Sequence, residues 1–142
     1  MLTIRKEQMD EFLPQDDESI IDFIIEHLND EHYDYISDIP SDTLREMVAN
    51  GITRARSYSF SDLEDVTVFV TWMFVMAPNF DEQPKLREIL RDVTIPTNKR
   101  IDKLLVDELN SSWEEVQQNY DGDAWFPELQ NEEKGQTAWQ QN

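Results

Sequence analysis

Several residue types are scarce in this chain, and each shortage excludes a class of chemistry. There is no cysteine, which excludes disulfide bonds, thiol catalysis and thiolate metal sites. Lysine and arginine together number 12 against 31 aspartates and glutamates, and the formal charge is −19. Because phosphates attract cations, this balance argues against nucleic acid and anionic membrane surfaces as partners. We expect a protein partner with a basic surface.

Long apolar runs are also scarce, and the one strong run is DVTVFVTWMFVMAPNFD at 65–81. Just before it, Ser61 and Glu64 match a capping box, in which two side chains satisfy backbone amides at a helix start. The segment VTVFV favours a strand, but a capped run of about sixteen residues exceeds a typical strand. A membrane-spanning helix needs roughly 20 apolar residues, so no membrane span is expected. The pattern predicts a central, largely buried helix from Asp62 to Ala77, ended by Pro78.

Apolar residues at helical spacing continue on both sides of this run. A chain of 142 residues is long enough for one domain and too short for two. The sequence therefore predicts an all-α fold, with a single compact domain of five or six helices over 1–120 and a flexible acidic tail over 121–142. Besides the central helix, helices are expected between Thr3 and Pro14, from Asp16 and Asp17 to about Asn29 or Asp30, from Ser41 to about Arg56, from Pro84 to about Leu90, and from Asn98 to Tyr120.

Two of these helices carry more detailed predictions. Gly51 interrupts the helix that starts at Ser41, yet the apolar spacing continues in phase across it, so one continuous helix is predicted. A glycine at that position would allow a neighbouring helix to approach closely. In the helix that starts at Asp17, Ile20 and Phe23 are expected to widen the buried apolar face.

The negative charge is concentrated at the two ends of the chain. Residues 1–42 have a net charge of −11, residues 43–103 are neutral, and residues 104–142 have a net charge of −8. Like charges gathered on one surface repel each other, and a basic partner offsets that repulsion. We therefore expect a partner to bind at the acidic ends. The acidic residues predicted to speed its association are Asp16, Asp17, Asp22, Glu26, Asp30 and Asp34.

The polar segment after Tyr120 contains large aromatic side chains, among them Trp125 and Phe126. Such side chains either fold back onto their own domain or insert into a pocket of a partner, where aromatic residues often dominate the binding energy. Both outcomes are compatible with the sequence. In the second, Trp125 and Phe126 are the anchors of the partner-binding surface.

Metal and catalytic sites are not predicted. His27 and His32 stand among acidic residues, but they lack the spacing of a helical histidine site and have no cysteine partner. Asp121 and Asp123 imitate the start of a calcium loop, but Phe126 occupies the position that requires glycine. The two histidines fit no catalytic triad. We expect a non-enzymatic protein without a cofactor.

Three stretches, MLTIRKEQMDEF, DLEDVTVFVTWMFVMAPNFDEQP and ILRDVTIPTNKRIDKLL, resemble small bacterial proteins encoded in type VI secretion clusters. In those clusters, such proteins lie beside PAAR-tip proteins, adaptor or chaperone genes and toxic effectors. The resemblance spans roughly residues 1 to 105, and its most specific part is an apolar helix followed by FVMAPNFD. It supplies no catalytic motif.

The resemblance implies a binding role in loading or restraining an effector, as a co-chaperone or adaptor. The alternative is an immunity protein that neutralises a toxic effector, for example a nuclease whose basic cleft accepts an acidic surface in place of phosphates. The N-terminus has no apolar segment of the kind found in secretory signals, so a cytoplasmic location is expected.

Overall fold

The apolar run around residue 70 forms a buried helix, as its length predicts. In the computed structural model, which describes residues 17–129, this helix extends over Leu63–Val75. Its N-cap is Asp62, whose side chain makes no capping hydrogen bond. The helix begins at Leu63, one residue after the start at Asp62 that the capping box predicted. Its buried side chains lie on several sides of the helix and are Leu63, Val66, Thr67, Phe69, Val70, Thr71 and Met73.

The described residues form six α-helices and contain no strand, which confirms the predicted all-α fold. The Leu63–Val75 helix is the third of the six. Short 3₁₀ turns connect several of the helices, including one at Tyr33–Tyr35 and one at Phe80–Glu82. The helices are α1 (Asp17–Glu31), α2 (Ser41–Ser57), α3 (Leu63–Val75), α4 (Pro84–Leu90), α5 (Thr97–Leu104) and α6 (Asn110–Gln118). The helix expected between Thr3 and Pro14 lies outside the described residues.

Helix α2 continues through Gly51 without interruption and packs closely on α3, as predicted. A Cβ atom on Gly51 would lie 3.1 Å from Cγ2 of Val70 and 3.3 Å from Sδ of Met73. A side chain at this position would push Val70 and Met73 aside by a few tenths of an ångström, and glycine avoids that shift. Gly51 therefore sets the distance between the two helices at the centre of the domain.

A cluster of aromatic rings joins α3 to the C-terminal half of the domain. The rings of Phe69 and Phe80 are 4.9 Å apart between centroids, and those of Trp72 and Trp113 are 5.2 Å apart. Phe80 also stacks on Trp113 at 5.6 Å. Because aromatic rings bury large apolar areas, these contacts hold the loop after α3 and helix α6 on the same core.

The helix predicted from Asn98 to Tyr120 is divided into α5 and α6. Leu104 ends α5, and Val106 adopts an extended conformation before the chain turns into α6. The indole nitrogen of Trp113 donates a 2.8 Å hydrogen bond to the carbonyl oxygen of Leu104, which closes the corner between the helices. Leu105, which lies at this corner, is exposed.

Candidate functional site

Helix α1 separates a buried apolar face from an exposed acidic one. Its buried side chains are Ile20, Ile21, Ile24 and Leu28, so the residues between them point away from the core. Phe23 is one of these outward residues and is 36% exposed, which corrects the prediction that it widens the apolar face. It lies three residues before Glu26 and seven before Asp30, on the same side of the helix.

The acidic residues in the first half of α1 are partly neutralised by arginines of α2. Arg45 donates to a carboxylate oxygen of Asp22 at 2.7 Å and also pairs with Glu18. Arg56 pairs with Asp17 at 3.2 Å. Asp17 and Asp22, both predicted to attract a partner, therefore also tie α1 to α2. Asp16 lies outside the described residues.

The second half of α1 and the following turn form a surface with a different character. Among its exposed residues are four acids and two tyrosines, which together we call the acidic face: Glu26, Asp30, Glu31, Tyr33, Asp34 and Tyr35. None of the four carboxylates forms an ion pair with any residue of the described part of the chain. Tyr33 and Tyr35 are 59% and 51% exposed. The acidic face therefore combines carboxylates that form no ion pair within residues 17–129 with large aromatic side chains.

The ring of His32 contacts those of His27 and Tyr35 at the acidic face. The imidazole rings of His27 and His32 are 5.6 Å apart between centroids, and His32 meets Tyr35 edge-on at 6.3 Å. Over residues 17–129, no group of three or more His, Cys, Asp or Glu side chains is arranged to hold a metal ion. The two histidines position the tyrosine-bearing turn against the end of α1.

Trp125 and Phe126 lie against the domain itself. The Trp125 side chain is 4% exposed, and its ring lies 4.3 Å from that of Phe74 between centroids, while Phe126 is half-buried against the core. Of the two outcomes compatible with the sequence, folding back is the one observed. In the described fold the ring of Trp125 lies against its own domain, and the role of Trp125 and Phe126 as partner anchors stays a prediction.

The packing of Trp125 shows that ordered structure continues past Tyr120. Residues 122–125 and 127–129 form 3₁₀ turns, and Ala124 is buried together with Trp125. The domain therefore extends to at least residue 126, beyond the predicted boundary at Tyr120. Residues 130–142 lie outside the described part.

The loop between α3 and α4, which includes the APNFD motif of the resemblance, holds a buried polar network. The carboxylate of Asp81 accepts a hydrogen bond from the Tyr58 hydroxyl at 2.8 Å and one from Nη1 of Arg54 at 3.1 Å. Burial, reinforced by the nearby Asp81 carboxylate, raises the pKa of Tyr58 well above its ordinary value. Arg54 of α2 and Tyr58, just after the C-terminal end of α2, both donate to Asp81, so this network is suited to fixing the loop.

Two further side chains of this loop reach the C-terminal helices. The amide nitrogen of Asn79, which is buried, donates to the carbonyl oxygen of Asn119 at 2.9 Å. Gln83 accepts hydrogen bonds from the backbone amides of Lys85 and Leu86 and so caps α4, while its amide nitrogen donates to Glu115 at 2.7 Å. The loop that contains APNFD therefore connects α2, α4, α6 and the residues that follow α6.

The exposure of Tyr33 and Tyr35 was not predicted from the sequence. The available signal was their alternation with Asp34 in the loop HYDYISD, where no apolar periodicity exists to bury them. Tyrosines without such a pattern in an acidic loop indicate exposed aromatic side chains, which are informative about binding.

No protein-family model, curated protein or solved structure matches the chain. Within residues 17–129, no helix has the length and apolar character needed to cross a membrane. The resemblance to type VI secretion proteins stays a prediction.

Proposed function

We propose that this chain is a non-enzymatic accessory of a type VI secretion effector and acts as its co-chaperone or adaptor in the cytoplasm of the producing cell. The partner is the effector or its tip protein, and it presents a basic surface to the acidic face. The secretion context comes from the resemblance alone. The binding role is supported by the geometry of the acidic face.

The observation that carries the proposal is the combination of exposed tyrosines with carboxylates that lack a basic partner in the described part of the domain. Between Asp17 and Asp42 there are nine acidic residues and no lysine or arginine. A field of one sign attracts an oppositely charged protein and raises the association rate. Tyr33 and Tyr35 offer large, stiff side chains that can be buried in the complex and slow its dissociation.

The acidic residues that the sequence predicted to speed association differ in whether they form ion pairs in the described part of the domain. Asp17 and Asp22 are engaged with Arg56 and Arg45, and their replacement would also disturb the packing of α1 on α2. Glu26, Asp30 and Asp34 are exposed and form no ion pair in the described domain. They are the side chains to change in a test of binding.

A suitable experiment co-expresses the chain with each effector and tip protein encoded beside it and measures complex formation by affinity capture and calorimetry. The test variant replaces Glu26, Asp30 and Asp34 by lysine. A matched control replaces Glu46, Glu88 and Asp102 by lysine, three exposed acids of the neutral stretch 43–103, and changes the net charge equally. The proposal expects the first variant to lose binding and the second to retain it. Equal loss in both variants would show that only total charge matters and would contradict the role of the acidic face.

The second candidate function is an immunity protein that blocks a nuclease effector. One feature of α1 favours it: Glu26 and Asp30, four residues and about 6 Å apart along the helix axis, form a short row of exposed negative charges on one side, whereas Asp22 before them pairs with Arg45. Such a row can occupy a cleft that normally binds phosphates. Expression beside the toxin in cells without a secretion apparatus separates the candidates. Protection there indicates immunity, and loss of effector secretion with intact self-protection indicates an adaptor.

A further inference from the structure

The segment after α6 is held in a groove of the domain by contacts that recognise its backbone. We call residues 119–126 the C-terminal segment. Nδ2 of Asn50 donates to the carbonyl oxygen of Trp125 at 2.8 Å, and Nη2 of Arg54 donates to that of Ala124 at 2.7 Å. Asn50 and Arg54 are four residues apart on α2, so both donors lie on one side of that helix. Hydrogen bonds to carbonyl oxygens do not depend on which side chains the bound segment carries.

A third residue contacts the beginning of the same segment. Asn79 donates from its amide nitrogen to the carbonyl oxygen of Asn119 at 2.9 Å, and its amide oxygen accepts from the backbone nitrogen of Asp121 at 3.1 Å. Asn79 therefore offers one donor and one acceptor to a passing backbone. Together, Asn79, Asn50 and Arg54 hydrogen-bond to the backbone of the segment at several points between residues 119 and 125.

One donor of the groove, Arg54, is fixed by contacts that do not involve the C-terminal segment. Nη1 of Arg54 is bound to the carbonyl oxygen of Pro78 at 2.6 Å and to Asp81 at 3.1 Å, and Asp81 is held in turn by Tyr58. The guanidinium is thus oriented from one side and leaves Nη2 pointing at Ala124. Side chains that are held in place in advance lose less entropy on binding than mobile ones.

Specificity in the groove comes from one aromatic pocket. The ring of Trp125 packs on Phe74 and is almost fully buried, and the small side chain of Ala124 before it is 1% exposed. By contrast, Tyr120 at the start of the segment is 58% exposed. The groove therefore selects a small residue followed by a large aromatic one, and it tolerates variation before them.

We propose that this groove is a peptide-binding site that the chain fills with its own residues 119–126, and that it accepts in their place a partner segment with a small residue followed by an aromatic one. Backbone hydrogen bonds combined with a side-chain pocket are the features of known peptide-recognition sites. The tethered segment competes at an effective concentration in the millimolar range. The partner segment enters when the chain's own segment leaves. This site is separate from the acidic face, and either can fail without the other.

The test uses a fluorescently labelled peptide, NYDGDAWFPEL, which copies residues 119–129. Full-length Trp125→Ala loses the ring that holds its own segment, so it should bind the peptide at least tenfold more tightly than the unmodified chain in fluorescence anisotropy. A peptide with alanine in place of the tryptophan should not bind. Full-length Tyr120→Ala, changed at an exposed position of the same segment, should behave as the unmodified chain does. Adding Asn50→Ala to Trp125→Ala should weaken peptide binding several-fold.

The proposal is overturned if Trp125→Ala has a native circular dichroism spectrum and does not bind the peptide, or binds both peptides equally. If that variant does not fold, hydrogen exchange on the unmodified chain decides. The amides of Ala124 and Phe126, which donate within the segment, should exchange at least tenfold faster than amides of α3, because the segment opens without global unfolding. Exchange at the same rate as α3 would mean that the segment leaves only when the whole domain unfolds, and the site would be purely structural.

Discussion

Gly51 of α2 faces Val70 of α3 at a distance that leaves no room for a side chain. A Cβ atom on Gly51 would lie 3.1 Å from one methyl carbon of Val70 and 3.3 Å from the other. Such contacts are shorter than ordinary van der Waals separations, which begin near 3.5 Å between carbon atoms. Helices α2 and α3 therefore pack closely at this glycine, and the position of α3 depends on it.

Replacing Gly51 by alanine should lower the free energy of unfolding by about 1 kcal/mol. Alanine gains about 1 kcal/mol of helix propensity over glycine, but crowding in a packed core costs about 1 to 3 kcal/mol. Here the crowding should exceed the gain, because two methyl groups and a sulfur atom surround the new carbon. Urea unfolding, followed by circular dichroism, measures the difference.

The matched control for this substitution is Val70→Ala, which removes both methyl groups that face Gly51. In that background, Gly51→Ala should become stabilising by up to about 1 kcal/mol, since the helix-propensity gain remains and most of the crowding is gone. An equal effect of Gly51→Ala in both backgrounds would mean that Val70 is not what restricts this position.

The hydrogen bond between Tyr58 and Asp81 predicts a loss of stability at alkaline pH. The folded-state pKa of Tyr58 lies above the value of 10.0 expected for the unfolded chain, mainly because the side chain is buried. The folded state therefore retains the proton more strongly than the unfolded state. The resulting stability is complete below about pH 10 and decreases as the pH rises further.

Tyr58→Phe isolates this contribution. At pH 7 the variant should be less stable by about 1 to 2 kcal/mol, since Asp81 loses one of its two donors. Between pH 9 and pH 11, the unmodified chain should lose stability more steeply than the variant, so the difference should shrink. Urea unfolding midpoints at several pH values provide the test, and parallel pH profiles for the two proteins would refute it.

Arg100 provides a third prediction, because it joins the ends of two helices. Its Nη1 donates to the carbonyl oxygens of Tyr58, after α2, and Leu90, at the end of α4, at 2.9 and 3.0 Å. Its Nε donates to Ile95 at 2.9 Å. Terminal carbonyl oxygens of helices lack partners within the helix, and a cation placed there also interacts favourably with the helix dipole.

Arg100→Lys should lower the free energy of unfolding by about 2 to 3 kcal/mol, although it preserves the charge. A lysine ammonium group cannot reach all three carbonyl oxygens, and each buried acceptor left without a donor costs about 1 to 3 kcal/mol. The neighbouring exposed Lys99 serves as the control, where substitution by arginine should change stability by less than about 0.5 kcal/mol. Thermal melts in which Arg100→Lys equals the unmodified chain would contradict the assigned role.

Periodicity was sufficient to predict that the segments of α1 to α6 are helical, because apolar residues recur in them at helical spacing. The predicted helix that contains Gly51 was confirmed, and so were the helical nature and the central position of the run that begins at Leu63. Periodicity could not predict the corner at Leu105, because apolar residues recur at helical spacing both before it, in α5, and after it, in α6. What divides them is the hydrogen bond from Trp113 to Leu104, a contact between residues nine apart.

The candidate sites were less accessible from the sequence. Composition indicated that Glu26, Asp30 and Asp34 are solvated, since charge runs usually form exposed faces. It could not indicate that Asp22 pairs with Arg45, 23 residues away, because that contact depends on how α1 packs on α2. The location of Trp125 was undecided for the same reason. Its pocket is formed by Phe74 and by donors on α2, which only the folded chain brings together.

The most direct test of the central claim, that the acidic face attracts a basic protein partner, is the association rate with the effector or tip protein that co-expression identifies. Stopped-flow kinetics would compare the unmodified chain with the Glu26→Lys, Asp30→Lys, Asp34→Lys variant. We predict association several-fold slower for the variant at low salt, and nearly equal rates at high salt, because exposed charges are screened over about 8 Å at physiological ionic strength. Equal and salt-independent rates for both proteins would mean that the acidic face serves solubility and does not guide binding.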